Sequence, residues 1–427
     1  MDHLTTADLL PSLQSGFRPG HSTETAILHV LSDILQAVDR GDFAALTLLD
    51  LSAAFDTVDH DILIQRLQST YSIHGSVLQW FRSYLLGRTQ HVRRGSARSA
   101  AVHLVCGVPQ GSVIGPILFI LYTADLAALI NSLGLSPHLY ADDTQIYGSC
   151  TPSHVDMFLS EVTNCVAAVA DWMQSNRLQL NDNKTEFLWC ATNRRQHSLP
   201  TAGPIIGSFS VAPASTVRDL GVYIDSDLSM RSHVRRTVSR CFATLRQLRT
   251  IRRQVPTTVF QSLVTALVLP HLDYCNSVLY GLPTSLIQRL QSVQNATARL
   301  IFGLWRSEHI SPALISLHWL RIPERITFKL AVLTYRAIHG AGPSYLQSYF
   351  TRVADMPSRR RLRSSGSDRL HVPIIRRSTI GSRSFTVSGA AVWNDLPAHV
   401  TAAPSLAVFR QRLKTFLFSR SFPGILI

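Results

Sequence analysis

Acidic residues are scarce in this chain of 427 residues: 27 Asp+Glu face 41 Lys+Arg, a formal charge of +14 to which arginine contributes most. Such a balance points to an anionic partner, a nucleic acid or a membrane surface, and composition alone does not choose between them. Metal-binding cysteine patterns are also missing. The six cysteines (Cys106, Cys150, Cys165, Cys190, Cys241 and Cys275) are dispersed, with no CxxC pair and no Cys/His ligand spacing. This argues against a zinc site or a disulfide framework and for free thiols in a reducing compartment. No charged segment leading into an apolar one opens the chain, so secretion is not expected. Long apolar runs are absent too: "GPILFILYTADLAALI" and "FQSLVTALVLPHL" are interrupted by Asp125 and Pro270 and are too short to span a bilayer. The expectation is a soluble intracellular protein. Its 46% apolar and 8% aromatic content suffices for ordinary cores, and its length favours two or three domains.

Along the chain, "SGFRPGHSTE" reads as a Gly/Pro loop, with Ser22 or Thr23 capping a helix over 24–39 whose apolar residues fall at helical spacing. "FAALTLLDL" is a continuous apolar run, as in a strand covered on both faces. A helix is expected over about 59–86, then the loop "GVPQGSVIGP" and a mostly buried helix "ILFILYTADLAALINSL". "HLYADDTQIYG" reads as two strands joined at or near the Asp pair, followed by a helix over 154–176, the polar turn "LNDNK" and a strand "TEFLWCA". "VRDLGVYIDSDL" is a second hairpin-like run. Helix and strand signals mix without strict alternation, which favours an α+β domain.

Between Asp227 and Asp273 there is no acid, while eight arginines fall in 231–253. Val234, Val238, Phe242, Leu245 and Leu248 keep an apolar stripe at 3–4 spacing, so the segment is an amphipathic basic helix. The lack of compensating acids argues for a phosphate-facing surface over a solvated outer face. More helices are expected to about 350, then a basic linker "MPSRRRLRSSGSD" whose "RRRLR" run at 359–363 could serve as a nuclear signal. The last sixty or so residues hold β-prone pieces and the helix-like "SLAVFRQRLKTFLF".

Asp50 ends the run "ALTLLD", and Asp142 and Asp143 stand side by side where a strand would carry apolar residues. Taken alone, Asp50 is a helix N-cap and the Asp pair a tight turn. Neighbouring strands would instead bring the three carboxylates together, a cluster that cannot stay charged without cations. Oxygen-only ligands suit Mg²⁺. Two such ions about 3.5–4 Å apart can activate a hydroxyl and stabilise a leaving oxygen. With a basic helix downstream, the chemistry indicated is phosphoryl transfer on nucleic acid.

The successive stretches "LTLLDLSAAFDTVDH", "GVPQGSVIGPILF", "YADDTQIY", "LQLNDNKTEFL" and "VRDLGVYID" resemble, in order, the motifs of reverse transcriptases of LINE-type (non-LTR) retrotransposons, the jockey-like lineage in particular, over about 15–228. The ends of such reading frames also look like the tail here, including "GAAVWNDLPAHV". The resemblance implies an α+β right-hand fold with partial fingers, a palm with an antiparallel sheet, a helical thumb and a mostly helical C-terminal region. The matching divisions are 1–43 (residual fingers), 44–228 (palm), 229–285 (basic thumb), 286–350 (helical region) and 351–427 (linker and tail). It implies that Asp50 and Asp142 bind two Mg²⁺ ions, or Mn²⁺, with Asp143 completing the acidic set, and that Lys184 protonates the departing pyrophosphate. Phe55 would exclude a 2′-hydroxyl; Gln110 and Gly111 would line the nucleotide, and Arg18 would touch its phosphate or the template's. Tyr140 and Ala141 would flank the primer end, with Leu220 and Gly221 in a primer-grip hairpin. Arg235, Arg236, Arg240, Arg246, Arg249 and Arg253 would hold the backbone. The partners implied are an RNA template, a DNA primer and dNTPs, in the nucleus or a cytoplasmic ribonucleoprotein; no membrane or protein partner is indicated.

The sequence departs from that family in carrying no endonuclease ahead of the polymerase motifs and no "RPISL"-like early fingers segment. Met1 stands about fourteen residues before "SGFRPG", as in a 5′-truncated copy or a frame begun at an internal methionine. An RNA-directed DNA polymerase, impaired or not, is therefore set against a non-catalytic nucleic-acid-binding remnant.

Overall fold

The computed structural model describes residues 4, 6, 7, 9–207, 209–356 and 368–424; the "RRRLR" run and most of the linker around it lie outside the described residues. Its contacts divide into two compact units, one of Met1–Ser22, Ala44–Trp189 and Pro200–Ala214, the other of Thr23–Phe43, Cys190–Leu199 and Ser215–Ile427.

The first unit is organised by a four-stranded sheet. Its strands are β1 (Phe43–Leu49), β2 (Ser136–Tyr140), β3 (Asp143–Cys150) and β4 (Glu186–Cys190), in the order β2-β3-β1-β4. Six of the seven residues of β1 are buried, as an apolar run in an interior strand requires. β2 and β3 form an antiparallel hairpin closed by the Tyr140–Asp143 pair. The helix Val155–Ser175 presents Phe158, Val162, Cys165, Val166, Val169 and Met173 at 3–4 spacing as its buried stripe.

Two expected helices are broken. The stretch 59–86 is two helices, His60–Ser69 and Gly75–Leu85, separated by a turn with Ser72 at φ 52° and Gly75 at φ 61°. The run after the "GVPQG" loop also divides, into Gly115–Tyr122 and Leu126–Ser132. As a window, Gly115–Ser132 is long and apolar enough to cross a membrane, yet Leu118, Phe119, Tyr122 and Ile130 belong to the core of this unit. The break sets Asp125 against Arg66, two hydrogen bonds at 2.7 and 3.1 Å, and Arg66 also donates to Asn176 and lies over the Tyr122 and Trp172 rings.

In the second unit, β5 (Thr216–Asp219) and β6 (Val222–Asp225) pair antiparallel around Leu220 and Gly221. Both turn residues have positive φ, 42° and 86°, the requirement of a two-residue I′ turn. The basic helix Arg231–Ile251 packs on β6 and along Thr284–Phe302. The helix Thr23–Arg40 is buried on most sides. Its Glu24 pairs with Lys329 at 2.8 Å and accepts the Ser277 N–H. In the last sixty residues the β-prone pieces form no strand among the described residues. The segment carries the helix Phe385–Asp395 and, as the helix-like "SLAVFRQRLKTFLF" leads one to expect, the helix Leu406–Ser421, both packed on Ile322–Ile338, with Tyr335 and Phe409 rings 4.5 Å apart. Eight of the eleven residues of Phe385–Asp395 are buried, which leaves the helix no clear amphipathic period.

His233, buried under the hairpin, accepts the Tyr223 N–H on Nδ1 at 3.4 Å. Burial, opposed by the Asp225 charge, lowers its pKa from 6.5 to about 4. The folded protein therefore keeps this imidazole neutral while the unfolded chain protonates it. That contribution to stability is full above pH 6.5 and is lost as pH falls toward 4. Urea unfolding should show the parent losing about 2 kcal/mol more than His233→Gln between about pH 7 and about pH 4.5; parallel losses would contradict this account.

Candidate active site

Asp50 follows directly on β1, with its side chain half-buried. It caps no helix. That role belongs to Asp59, whose Oδ1 accepts the N–H groups of Asp61 and Ile62 at the start of His60–Ser69. Behind Asp50, its carbonyl accepts the Asn181 N–H at 2.9 Å, and this places Lys184 so that its Nζ stands 3.0 Å from Asp50 Oδ2. Lys184 is one of three lysines in the chain.

The Asp pair is divided by the β2–β3 turn. Ala141 and Asp142 form the turn, and Asp143 opens β3. Ala141 has φ 57°, a left-handed conformation that costs a non-glycine residue free energy and must be held from outside. Gln14 holds it. Its buried amide accepts the Ala141 N–H at 2.9 Å, donates to the Ala141 carbonyl at 3.2 Å, and also accepts the Gly16 N–H at 2.8 Å. Leu13 and Ser15 bond the backbone of Leu139, so residues 13–15 run beside β2. Gly16 passes so close that a Cβ there would lie 2.4 Å from the Ala141 nitrogen. No pattern in "PSLQSGF" announces this clamp.

The three carboxylates act on one another. Burial raises Asp142 above the usual carboxylate range, a hydrogen bond to its own backbone lowers it, and the charge of Asp50 raises it. Burial, then the charges of Asp142 and Asp50, push Asp143 up to about 6. Asp143 also keeps an exposed face, so repulsion is the firmer of those causes. Among the described residues, no three His, Cys, Asp or Glu side chains converge tightly enough to enclose one ion. The donor set is nevertheless oxygen-only, open to solvent on one side and in electrostatic conflict, and one ammonium already lies against it. These residues fit hard divalent cations.

Phe55 and the "GVPQG" loop are brought together by backbone pairing. Val108 N–H donates to the Phe55 carbonyl at 2.8 Å and Gly107 N–H to Val58 at 2.7 Å. Gly107 admits this approach, since a Cβ there would meet the Asp56 carbonyl at 2.8 Å. Phe55 is half-buried with its ring 4.6 Å from that of Phe119. Gln110 is exposed and donates to Asp56 at 2.8 Å. Arg18 is turned inward to the carbonyls of Pro11 and Gln14 in its own loop.

A family model of reverse transcriptase (RNA-dependent DNA polymerase) matches residues 1–224, just over half of the chain. The chain belongs to the reverse transcriptase family. Among curated proteins it is 32% identical over 256 residues to a probable RNA-directed DNA polymerase from transposon BS of Drosophila melanogaster, covering 58% of this chain and 27% of that protein. It is 30% identical over 303 residues to the corresponding X-element protein of the same fly, covering 69% of this chain and 32% of that protein. The RNA-directed DNA polymerase from mobile element jockey of Drosophila funebris is 28% identical over 53% of this chain and 24% of its own length. The chain thus spans about a quarter to a third of these relatives. A solved structure of telomerase from Candida albicans, with a fragment of telomeric RNA, aligns with 77% of this chain and 55% of that one at 14% identity and a TM-score of 0.36. That likeness is too remote to add to the family match. Reverse transcriptases as a family use divalent metal ions.

The second unit holds the expected primer-grip turn and the basic helix. The Leu220–Gly221 turn is clamped by Tyr274, whose hydroxyl donates to the Leu220 carbonyl at 2.6 Å and whose ring would lie 3.2 Å from a Cβ on Gly221. Arg235, Arg236 and Arg240 line a cavity of about 770 Å³ with Arg218, Tyr223 and His271, and Arg236 stacks over Tyr223 at 4.4 Å. Arg246 and Arg249 are exposed further along the helix, and Arg253 is exposed two residues past its end at Ile251. Arg252 has a packing role, donating to the Leu300 and Ile301 carbonyls.

Replacing Gln14 by Ala strands the Ala141 backbone in the β2–β3 turn beside Asp142. The expected cost is about 1–3 kcal/mol of local stability. Hydrogen exchange should show the Ala141 amide losing protection in Gln14→Ala while β1 and β4 amides keep theirs; unchanged protection at Ala141 would refute the clamp.

Proposed function

We propose that this chain is the polymerase portion of a non-LTR retrotransposon RNA-directed DNA polymerase, which extends a primer 3′-hydroxyl on an RNA template with dNTPs. The observation that carries this reading is the gathering of Asp50, Asp142 and Asp143 at one end of the sheet, in mutual repulsion, in a chain of this family. We assign to these three carboxylates the binding of two Mg²⁺ ions, or Mn²⁺. When bound, such cations supply Lewis acidity toward the hydroxyl and the phosphates and offset the carboxylate repulsion.

The residues of the chain supply position and protons. Lys184, next to Asp50, holds a proton where the departing pyrophosphate gains charge. Phe55, supported by Phe119, closes the floor beneath the incoming sugar and excludes a 2′-hydroxyl. Gln110 and Gly111 line the nucleotide, while Tyr140 and Ala141 flank the primer end, fixed through Gln14. The Leu220–Gly221 turn steadies the primer, and Arg235, Arg236, Arg240, Arg246, Arg249 and Arg253 grip phosphates without reading sequence. Preorganised electrostatics then carries most of the catalysis.

Primer extension on an annealed RNA template with Mg²⁺ tests the assignment. Asp142→Asn should abolish extension while binding to the hybrid persists, and Lys184→Ala should lower kcat by roughly 100-fold or more with binding unchanged. Extension by Asp142→Asn at the parent rate would sink the proposal.

A further inference from the structure

Arginines gather at a second place that the polymerase roles do not use. A cavity of about 750 Å³ is lined by Arg194, Arg231, Arg376, Arg377 and Arg383, with Asp227 the one acid among its lining residues. Asp227 stands 3.9 Å from Arg231 and cannot neutralise five guanidinium groups. The hydroxyls of Ser378 and Thr379 add donors to the same wall.

This wall is built. Asp39 accepts the backbone N–H groups of Arg376 and Arg377, which fixes the segment. Arg377 is braced by the Val38 and Asp39 carbonyls. Arg383 donates to the Leu228 carbonyl at 2.6 Å, and its Nε is buried with no protein acceptor. Its stem passes Gly281, at φ 73°, where a Cβ would lie 2.9 Å from the Arg383 Cγ. Burial lowers the Arg383 pKa to about 10 against the pull of Asp227, so it is still charged at neutral pH. Arg194 and Arg376 reach solvent.

The cavity is not isolated. It shares Asp227, Ser229, Arg231 and Leu286 with a second cavity of about 650 Å³ that adds Arg235 and Arg289. The second shares Arg235 with the cavity of about 770 Å³ between the β5–β6 hairpin and the basic helix. Ten arginines and two aspartates line the three together. One of those acids, Asp225, is occupied by Thr216, Ser229 and the Ser232 N–H. A single small anion would fill one cavity; a run of three calls for a ligand with phosphates at intervals.

We propose that residues 376–383, with Arg194 and Arg231, form a further phosphate-binding surface that continues the backbone contacts of the basic helix along the same nucleic-acid strand. This inference rests on the nucleic-acid reading given above. It assigns the C-terminal region a part in holding substrate: its arginines lengthen the footprint of the basic helix and slow dissociation. Counterion release makes each such contact salt-dependent.

The test is binding of the full chain to RNA–DNA hybrids of about 10 and about 30 base pairs across a salt series. The exposed pair Arg194→Ser/Arg376→Ser is compared with the parent, and equal thermal melting verifies the fold. The variant should bind the long hybrid roughly tenfold more weakly, with a salt slope smaller by about 2, and the short hybrid as the parent does. Equal affinity for both hybrids, or the same loss on both, would overturn the proposal. Loss of tripolyphosphate binding with hybrid binding intact would assign the cavity to a free anion and overturn it equally. A parent that binds neither hybrid would remove the reading beneath it, whereas unchanged long-hybrid binding with primer extension intact would leave the polymerase reading standing.

Discussion

Three carboxylates held at one end of a sheet repel one another, and the first unit is built to hold them there. Asp50 cannot retreat because β1 behind it is buried and continuous. Asp142 cannot swing away because its turn is fixed through Ala141 by the Gln14 amide. Asp143 is tied into the first ladder pair of β3. Burial first, and then the neighbouring carboxylate charges, raise the proton affinities of Asp142 and Asp143. A fold that served only its own stability would relieve that repulsion, since neighbouring like charges cost free energy without a counter-charge. Lys184 offsets part of it at Asp50; being an exposed pair, it stabilises little by itself.

The excess of arginine is met in two different ways, and the difference separates packing from binding. Some guanidinium groups are used up inside the protein. Arg66 is taken by Asp125, Asn176 and two rings, Arg195 by the Gly41 carbonyl and the Phe43 ring, and Arg252 by two carbonyls at the end of a helix. Others, such as Arg235, Arg240 and Arg194, line open cavities where acids are few. Charge counted along the sequence cannot tell these groups apart, because a carbonyl acceptor leaves no mark in composition.

Much of the site was legible because its parts are local. The run ending in Asp50 reads as a covered strand, and it is one. The hairpin around Asp142 and Asp143, the Gly-rich loop, the β5–β6 turn and the basic helix each carry their signal within about a dozen residues. Where the reading failed, the deciding contact was distant. The run over 115–132 looks continuous by hydropathy, yet it is two helices, and Asp125 in the break meets Arg66 from a distant helix. The β-prone pieces of the tail form no strand among the described residues, and Phe385–Asp395 is a helix whose near-complete burial erases any period.

The sequence by itself determined the family, the order of the motifs, the strands that bear the three aspartates and the basic face of the helix after them, since hydrophobic period, turn residues and charge are all written within short windows. Only the tertiary structure decided that Gln14 secures a turn 127 residues away, that Tyr274 secures another, and that Arg194, Arg231 and the 376–383 segment share one cavity. Each of these depends on a side chain meeting backbone or charge across a long loop. Such a meeting has no period and no preferred spacing, so it exists only once the chain has folded.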